Sequence, residues 1–296
     1  MSAGYDGAEG GAAGSRAALI AQGRRMLQGA DVPDPARDAR LLLRWASGLE
    51  AAAFSARLEE PAGPAEAARY AAGLAARAGR RPLSQIIGRR EFWGRDFEVG
   101  PDVLDPRPET ETLIAAALQG PLAAAGVEAK LLDLGVGSGC ILLTLLAERP
   151  RCTGVGVDAS PAAARTARAN AKALGVAGRA TILDGDWFEP AQGRFDLVVS
   201  NPPYIADAEF DALSPEVRLW EPVAALLPGG DGLGAFRAIA AGLDAALAPG
   251  GRALLEFGAG QDRDVAAIFE AAGFAVAAVH ADLDGRPRCL EAMRAD

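Results

Sequence analysis

From residue 130 onward the chain alternates short apolar runs with stretches long enough to carry a helix, and this period constrains the fold more than any other feature. The runs are KLLDLG, TGVGVD, ATILDGD, FDLVVSNPPY and RALLEFG. Near-continuous apolar strands are those buried on both faces, and parallel neighbours require a crossover between them. The alternation therefore predicts a parallel α/β sheet with helices on both faces. Further on, AVAAVH and PRCLEAM flank Asp-Leu-Asp-Gly-Arg and read as a terminal hairpin.

The first eighty residues have a different character. Leu19, Ile20, Met26 and Leu27 recur at helical spacing, Asp34-Pro35 opens a second helix through Leu41, Leu42, Leu43 and Trp45, and Pro64 to Ala78 reads as a third. Pro61-Ala-Gly-Pro64 marks the break before that third helix. REFW, a turn at Gly94-Arg95-Asp96, and FEVG predict a short hairpin acting as a hinge. The expected organisation is a helical domain over 1–80, a hairpin linker over 81–105 and an α/β domain over 106–296. Residues 1–14 are rich in Gly and Ala and are expected to fray.

Scarcities exclude several chemistries. His280 is the single histidine, it ends an apolar run, and no CxxC pair exists, so no metal site is expected. Cys140, Cys152 and Cys289 are widely spaced and odd in number, pointing to a reduced, cytoplasmic protein. The start, MSAGYDGAEGG, lacks a basic segment before an apolar block, and no apolar run is long enough for a bilayer. Residues 81–296 hold 20 basic against 30 acidic residues, with no basic stripe of the kind that gathers nucleic acid.

Four motifs carry chemistry, and each follows a predicted strand. Asp133 and Leu134 lead into Gly135, Val136, Gly137, Ser138 and Gly139, a loop that lets the backbone approach a ligand before a helix whose free N–H groups suit an anion. The spacing is G-x-G-x-G rather than the dinucleotide G-x-G-x-x-G. Asp158 ends TGVGVD where a carboxylate reaches both hydroxyls of a ribose; capping the next helix is the competing role, and the two coexist if Ser160 is the cap. Asp186 and Trp187 follow ATILD, placed to accept from an adenine amine and to cover its face, with a plain core tryptophan as the alternative.

The decisive motif is Asn201-Pro202-Pro203-Tyr204 after FDLVVS. Two prolines fix the backbone and donate nothing, so the turn offers carbonyls and the Asn side chain, a surface of acceptors suited to a planar –NH2 group. Asn201 and the Pro202 carbonyl would hold both protons of an amide and aim its nitrogen, while Tyr204 would present its ring to the developing cation.

The glycine loop with Asn-Pro-Pro-Tyr-Ile resembles the class I S-adenosylmethionine-dependent methyltransferases that act on exocyclic or amide nitrogens. Arg90-Glu-Phe-Trp-Gly, then Val103-Leu-Asp-Pro-Arg-Pro-Glu-Thr-Glu111, narrow the resemblance to the peptide-chain release factor glutamine N5-methyltransferases. Glu221-Pro222, Asp231-Gly-Leu, Glu256-Phe-Gly-x-Gly-Gln261 and Asp-Gly-Arg-Pro-Arg288 agree with it. The resemblance implies a Rossmann-like seven-stranded sheet with an antiparallel last strand and a small N-terminal helical domain that grips the substrate. It implies S-adenosylmethionine as cofactor, bound by Gly135, Val136, Gly137, Ser138, Gly139, Asp158, Asp186, Trp187 and Asn201. It also implies release factor as the partner of a cytoplasmic monomer that engages neither nucleic acid nor membrane. Pro108, Glu109 and Glu111 suit the first turn of a helix, as capping residues or as part of the pocket. The competing readings are an amino methyltransferase of DNA or RNA, which would need a basic surface and a flipped base, and a non-catalytic cofactor-binding module.

Overall fold

The computed structural model describes residues 14–295, so the expected fraying over 1–14 falls, but for Gly14, outside the described residues. The chain forms two compact units, Met1–Ile87 and Gly88–Asp296. Among the described residues no helix is long and apolar enough to cross a membrane.

The first unit is helical: α1 Arg16–Gly29, α2 Pro35–Ser47, α3 Ala51–Ala56, α4 Pro64–Ala78 and α5 Leu83–Ile87. Its ends follow local chemistry. Ser15 caps α1 through its hydroxyl, Asp34 caps α2 with Pro35 as the first helical residue, and Gly48 closes α2 in the left-handed region. The apolar stripes meet around Leu27, Leu42, Leu43, Phe54, Tyr70 and Leu74. Within this core Arg77 pairs with Asp38 at 2.7 Å, both nearly excluded from water, so neither is left as an uncompensated charge. The short α5 carries this unit past residue 80, and the hairpin begins the second unit instead of standing between the two.

The hairpin pairs β1 Arg89–Phe92 with β2 Arg95–Glu98, and its turn is Trp93-Gly94. This corrects the expected turn at Gly94-Arg95-Asp96. A two-residue turn matching strand twist needs positive φ at both positions; Gly94 (67°) meets this freely, Trp93 (50°) under constraint, and Arg95 and Asp96 are strand residues. The Glu111 carboxylate accepts from the Trp93 N–H at 2.8 Å and helps hold that conformation.

A 3-10 turn, Pro108–Thr110, leads into α6 Glu111–Gln119. There follow β3 Lys130–Leu134, α7 Cys140–Glu148, β4 Thr153–Asp158, α8 Pro161–Ala173, β5 Ala180–Asp184 and β6 Phe195–Ser200. After β6 come α9 Pro215–Trp220, α10 Gly234–Ala246, β7 Leu247–Glu256, α11 Asp262–Ala271, β8 Phe274–Ala281 and β9 Pro287–Arg294. The sheet order is β5-β4-β3-β6-β7-β9-β8, parallel through β7, with β9 antiparallel to both neighbours. Strand periodicity divides the core: Leu131, Leu197, Val199 and Leu254 face α6, α7 and α8, whereas Leu132, Leu134, Val198 and Leu255 face α10 and α11. The chain runs outward from β3 to β5, then returns to β6 on the other side of β3. That reversal opens a crevice beyond the carboxyl ends of β3 and β6.

Candidate active site

The crevice is a cavity of about 340 Å³. Gly135, Val136, Gly137, Ser138, Asp158, Asp186 and Trp187 line it together with Asn201 and Pro203, so four separated motifs converge on one volume. The glycine loop takes its shape from φ values of 74°, 55° and 84° at Gly135, Gly137 and Gly139, which side chains with a Cβ rarely adopt. Gly139 lies under the loop as the N-cap of α7, a Cβ's width from Leu143, rather than on the cavity wall.

Asp158 joins two motifs. One oxygen accepts from the Gly137 N–H at 2.8 Å and the other from the Ser160 N–H at 2.9 Å, while Ser160 itself caps α8. Burial raises its pKa and these two N–H bonds oppose the rise. Asp133 is fully buried beneath the loop, where desolvation pushes its pKa up to about 8 against a bond from the Leu142 N–H. Asn170, a buried residue of α8 that sequence reasoning passed over, donates to the Ser138 and Glu98 carbonyls and accepts from the Glu98 N–H, tying loop to hairpin. A buried Asn on an Ala-rich helix was the available signal.

The Asn-Pro-Pro-Tyr turn divides its residues between the cavity and the core. Asn201 and Pro203 line the cavity, but Pro202 is buried in the turn and Tyr204 packs with the α10–α11 cluster, outside the cavity wall. Burial, with Glu256 adding to it, pushes the Tyr204 phenol up to about 12, so it stays neutral. Gln261 pins the turn from behind, donating to the Tyr204 carbonyl and accepting from the Gly258 N–H, both at 2.9 Å. Asn201 donates through Nδ2 to Thr110 at 3.2 Å, and its Oδ1 is buried with no partner. A buried acceptor left open is costly unless something is to occupy it.

The Arg-Pro-Glu-Thr-Glu segment closes one side. Arg107 and Thr110 line the cavity, and Arg107 reaches both oxygens of Glu221, at 2.8 and 2.7 Å. Burial raises Glu221 to about 7 even though Arg107 lowers it. Glu256, at the end of β7 and 2% exposed, is likewise raised to about 7 by desolvation, against a hydrogen bond from Thr110 and the charge of Arg288. Among the described residues no group of three His, Cys, Asp or Glu is arranged to hold a metal. The arrangement is a pocket lined by the glycine loop, the Asp158 carboxylate and Asn201 with its open Oδ1, and the one basic side chain among the described residues of its wall, Arg107, is paired with Glu221.

Comparison with known proteins agrees with this geometry. A sequence model described as the methyltransferase small domain matches residues 111–231, and one described as the PrmC N-terminal domain matches residues 18–88. The chain is 55% identical over 266 residues to the release factor glutamine methyltransferase of Cereibacter sphaeroides, covering 90% of this chain and 94% of that protein. It is 46% identical to the protein of the same name from Rhodospirillum rubrum, covering 93% of this chain and 84% of that one. Among solved structures, a methyltransferase from Pyrococcus furiosus superposes with a TM-score of 0.51 at 15% identity, over 69% of this chain and 91% of its own, a likeness of fold.

Proposed function

The chain belongs to the release factor glutamine methyltransferases, and we propose that it methylates the side-chain amide nitrogen of one glutamine in a peptide-chain release factor, with Asn201 holding the accepting amide. The observation that carries this assignment is the buried, unpartnered Asn201 Oδ1 in a cavity that also contains the glycine loop. When bound, S-adenosylmethionine supplies an electrophilic methyl group on its sulfonium.

The protein's own residues do the rest. An amide nitrogen is a weak nucleophile because its lone pair is delocalised into the carbonyl. Asn201 Oδ1 and the Pro202 carbonyl accept its two protons, which favours positive charge on nitrogen and fixes its direction of approach. Tyr204, held neutral, keeps water from the turn. The residues present fit the cofactor: Gly135 to Gly139 allow close backbone approach, Asp158 faces the cavity from the end of β4, and Asp186 and Trp187 close the far wall. Incubation with labelled S-adenosylmethionine and folded release factor, then peptide mapping by mass spectrometry, is expected to locate one methyl on one glutamine. A methyl on a nucleobase, or on many scattered glutamines, would refute the proposal.

Asp158→Ala is expected to weaken S-adenosylmethionine binding by about 1.5–3 kcal/mol, since a charged acceptor for the ribose is lost along with the brace on Gly137. Calorimetry on the purified variant checks this; an unchanged Kd with a lower Tm assigns Asp158 to the fold alone. The helical first unit is proposed to grip the release factor. Removing residues 1–87 is then expected to raise KM for release factor about tenfold or more while Kd for S-adenosylmethionine stays within a few-fold, the latter reporting a folded second unit. Equal KM values with and without the unit count against it.

A further inference from the structure

The Arg107–Glu111 segment makes three attachments at once: Arg107 to Glu221, Glu111 to the Trp93 N–H, and Thr110, between them, to Asn201. The third has a consequence for the chemistry. Thr110 is 1% exposed, its hydroxyl oxygen lies 3.2 Å from Asn201 Nδ2, and it neighbours the buried Glu256 carboxylate, whose pKa it lowers. An ionised carboxylate has no proton to give, so a hydroxyl beside it turns its own proton that way, and the Thr110 oxygen is left as the acceptor that meets Asn201 Nδ2. An acceptor facing Asn201 selects the –NH2 end of the carboxamide. The other end, Oδ1, is thereby turned away from Thr110, and it is the buried atom without a partner.

The two ends of a carboxamide have nearly the same shape, so packing alone does not distinguish them. Flipped, Asn201 would present two protons to a substrate amide that itself carries two protons, a repulsive donor–donor encounter. We propose that Thr110 and Glu256 are positioning residues that lock the Asn201 carboxamide with its oxygen toward the methyl-accepting nitrogen. The proposal rests on the reading of Asn201 as the holder of that amide. It gives the Thr of Arg-Pro-Glu-Thr-Glu and the Glu of Glu256-Phe-Gly a shared task, although they stand 146 positions apart in the chain.

The test uses the full-length protein at about pH 8, above the Glu256 pKa, with saturating release factor. Thr110→Val keeps the branched shape without the hydroxyl and is expected to lower kcat about 10- to 100-fold. Kd for S-adenosylmethionine should stay within about threefold, since the interaction lost is not one with the cofactor. Thr110→Ser restores the hydroxyl and should return kcat to within about threefold of wild type. A role in packing alone predicts the opposite order, because Val fills the space of Thr and Ser does not. Glu256→Met should lower kcat as Thr110→Val does, and the double variant should be no worse than the poorer single one; losses that multiply would show two independent roles and overturn the relay. Near wild-type kcat in Thr110→Val beside an inactive Asn201→Ala overturns the positioning role and leaves Asn201 in place. Activity in Asn201→Ala overturns the reading beneath both.

Discussion

Asn201→Ala is expected to lower kcat about 1,000-fold while leaving the affinity for S-adenosylmethionine within a few-fold. The size follows from where the interaction is made. Oδ1 is buried and unpartnered, so in the proposed arrangement it gains its hydrogen bond when the substrate amide enters, and that bond strengthens as the nitrogen becomes positive. Removing it therefore raises the barrier rather than weakening the ground state. Nδ2 bonds Thr110 and not the glycine loop, so that loop and its brace from Asp158 keep their hydrogen bonds when the side chain is cut back. Steady-state kinetics with release factor, paired with calorimetry for S-adenosylmethionine, separates the two quantities. A variant with near wild-type kcat would remove Asn201 from the chemistry.

Gly139→Val is expected to destabilise the catalytic unit by about 2–5 kcal/mol and to abolish cofactor binding with it. Two costs add. The residue sits at φ 84°, where a β-branched side chain is strained. A Cβ built there lies 2.6 Å from Leu143 Cδ1 and 3.4 Å from the Ala167 Cβ, and Leu143 is fully buried, so any shift of it meets packed neighbours. Gly260→Val is the matched control: its φ is 82°, but nothing lies within 4 Å of its Cβ, so the strain of about 1–2 kcal/mol is the main cost there. Thermal or urea melts of the two variants isolate the packing cost; equal losses would show that Leu143 gives way.

The sheet was readable because its central strands, β3 and β6, are buried on both faces and show as largely apolar runs. The glycine loop, Asp158 and Asn201 were readable for a related reason: each ends such a run, and the fold gathers strand ends. The brief helices Ala51–Ala56 and Leu83–Ile87 were not, since five or six residues carry too few turns to show a period. The turn at Trp93 was hidden because an aromatic residue seldom takes positive φ; here Glu111, 18 residues on, holds it there. Pairings such as Asn170 with Glu98, 72 positions apart, leave no local trace. The acids of Arg-Pro-Glu-Thr-Glu suited a helix's first turn and the pocket equally, and nothing local singled out Arg107 and Thr110 as the residues that line the site.

The same reach governs when the site can exist during synthesis. Arg107 is made 114 positions before Glu221, and Thr110 91 positions before Asn201. At about 5–20 residues per second, the wall of the pocket leaves the ribosome about 5–23 s ahead of the groups it must meet. Closing loops of that length comes late in folding, after contacts near in sequence have formed. A growing chain therefore has its glycine loop well before it has anything to place against it. Acquisition of ligand affinity by the nascent chain reports that β6 and the segment carrying Glu221 have docked.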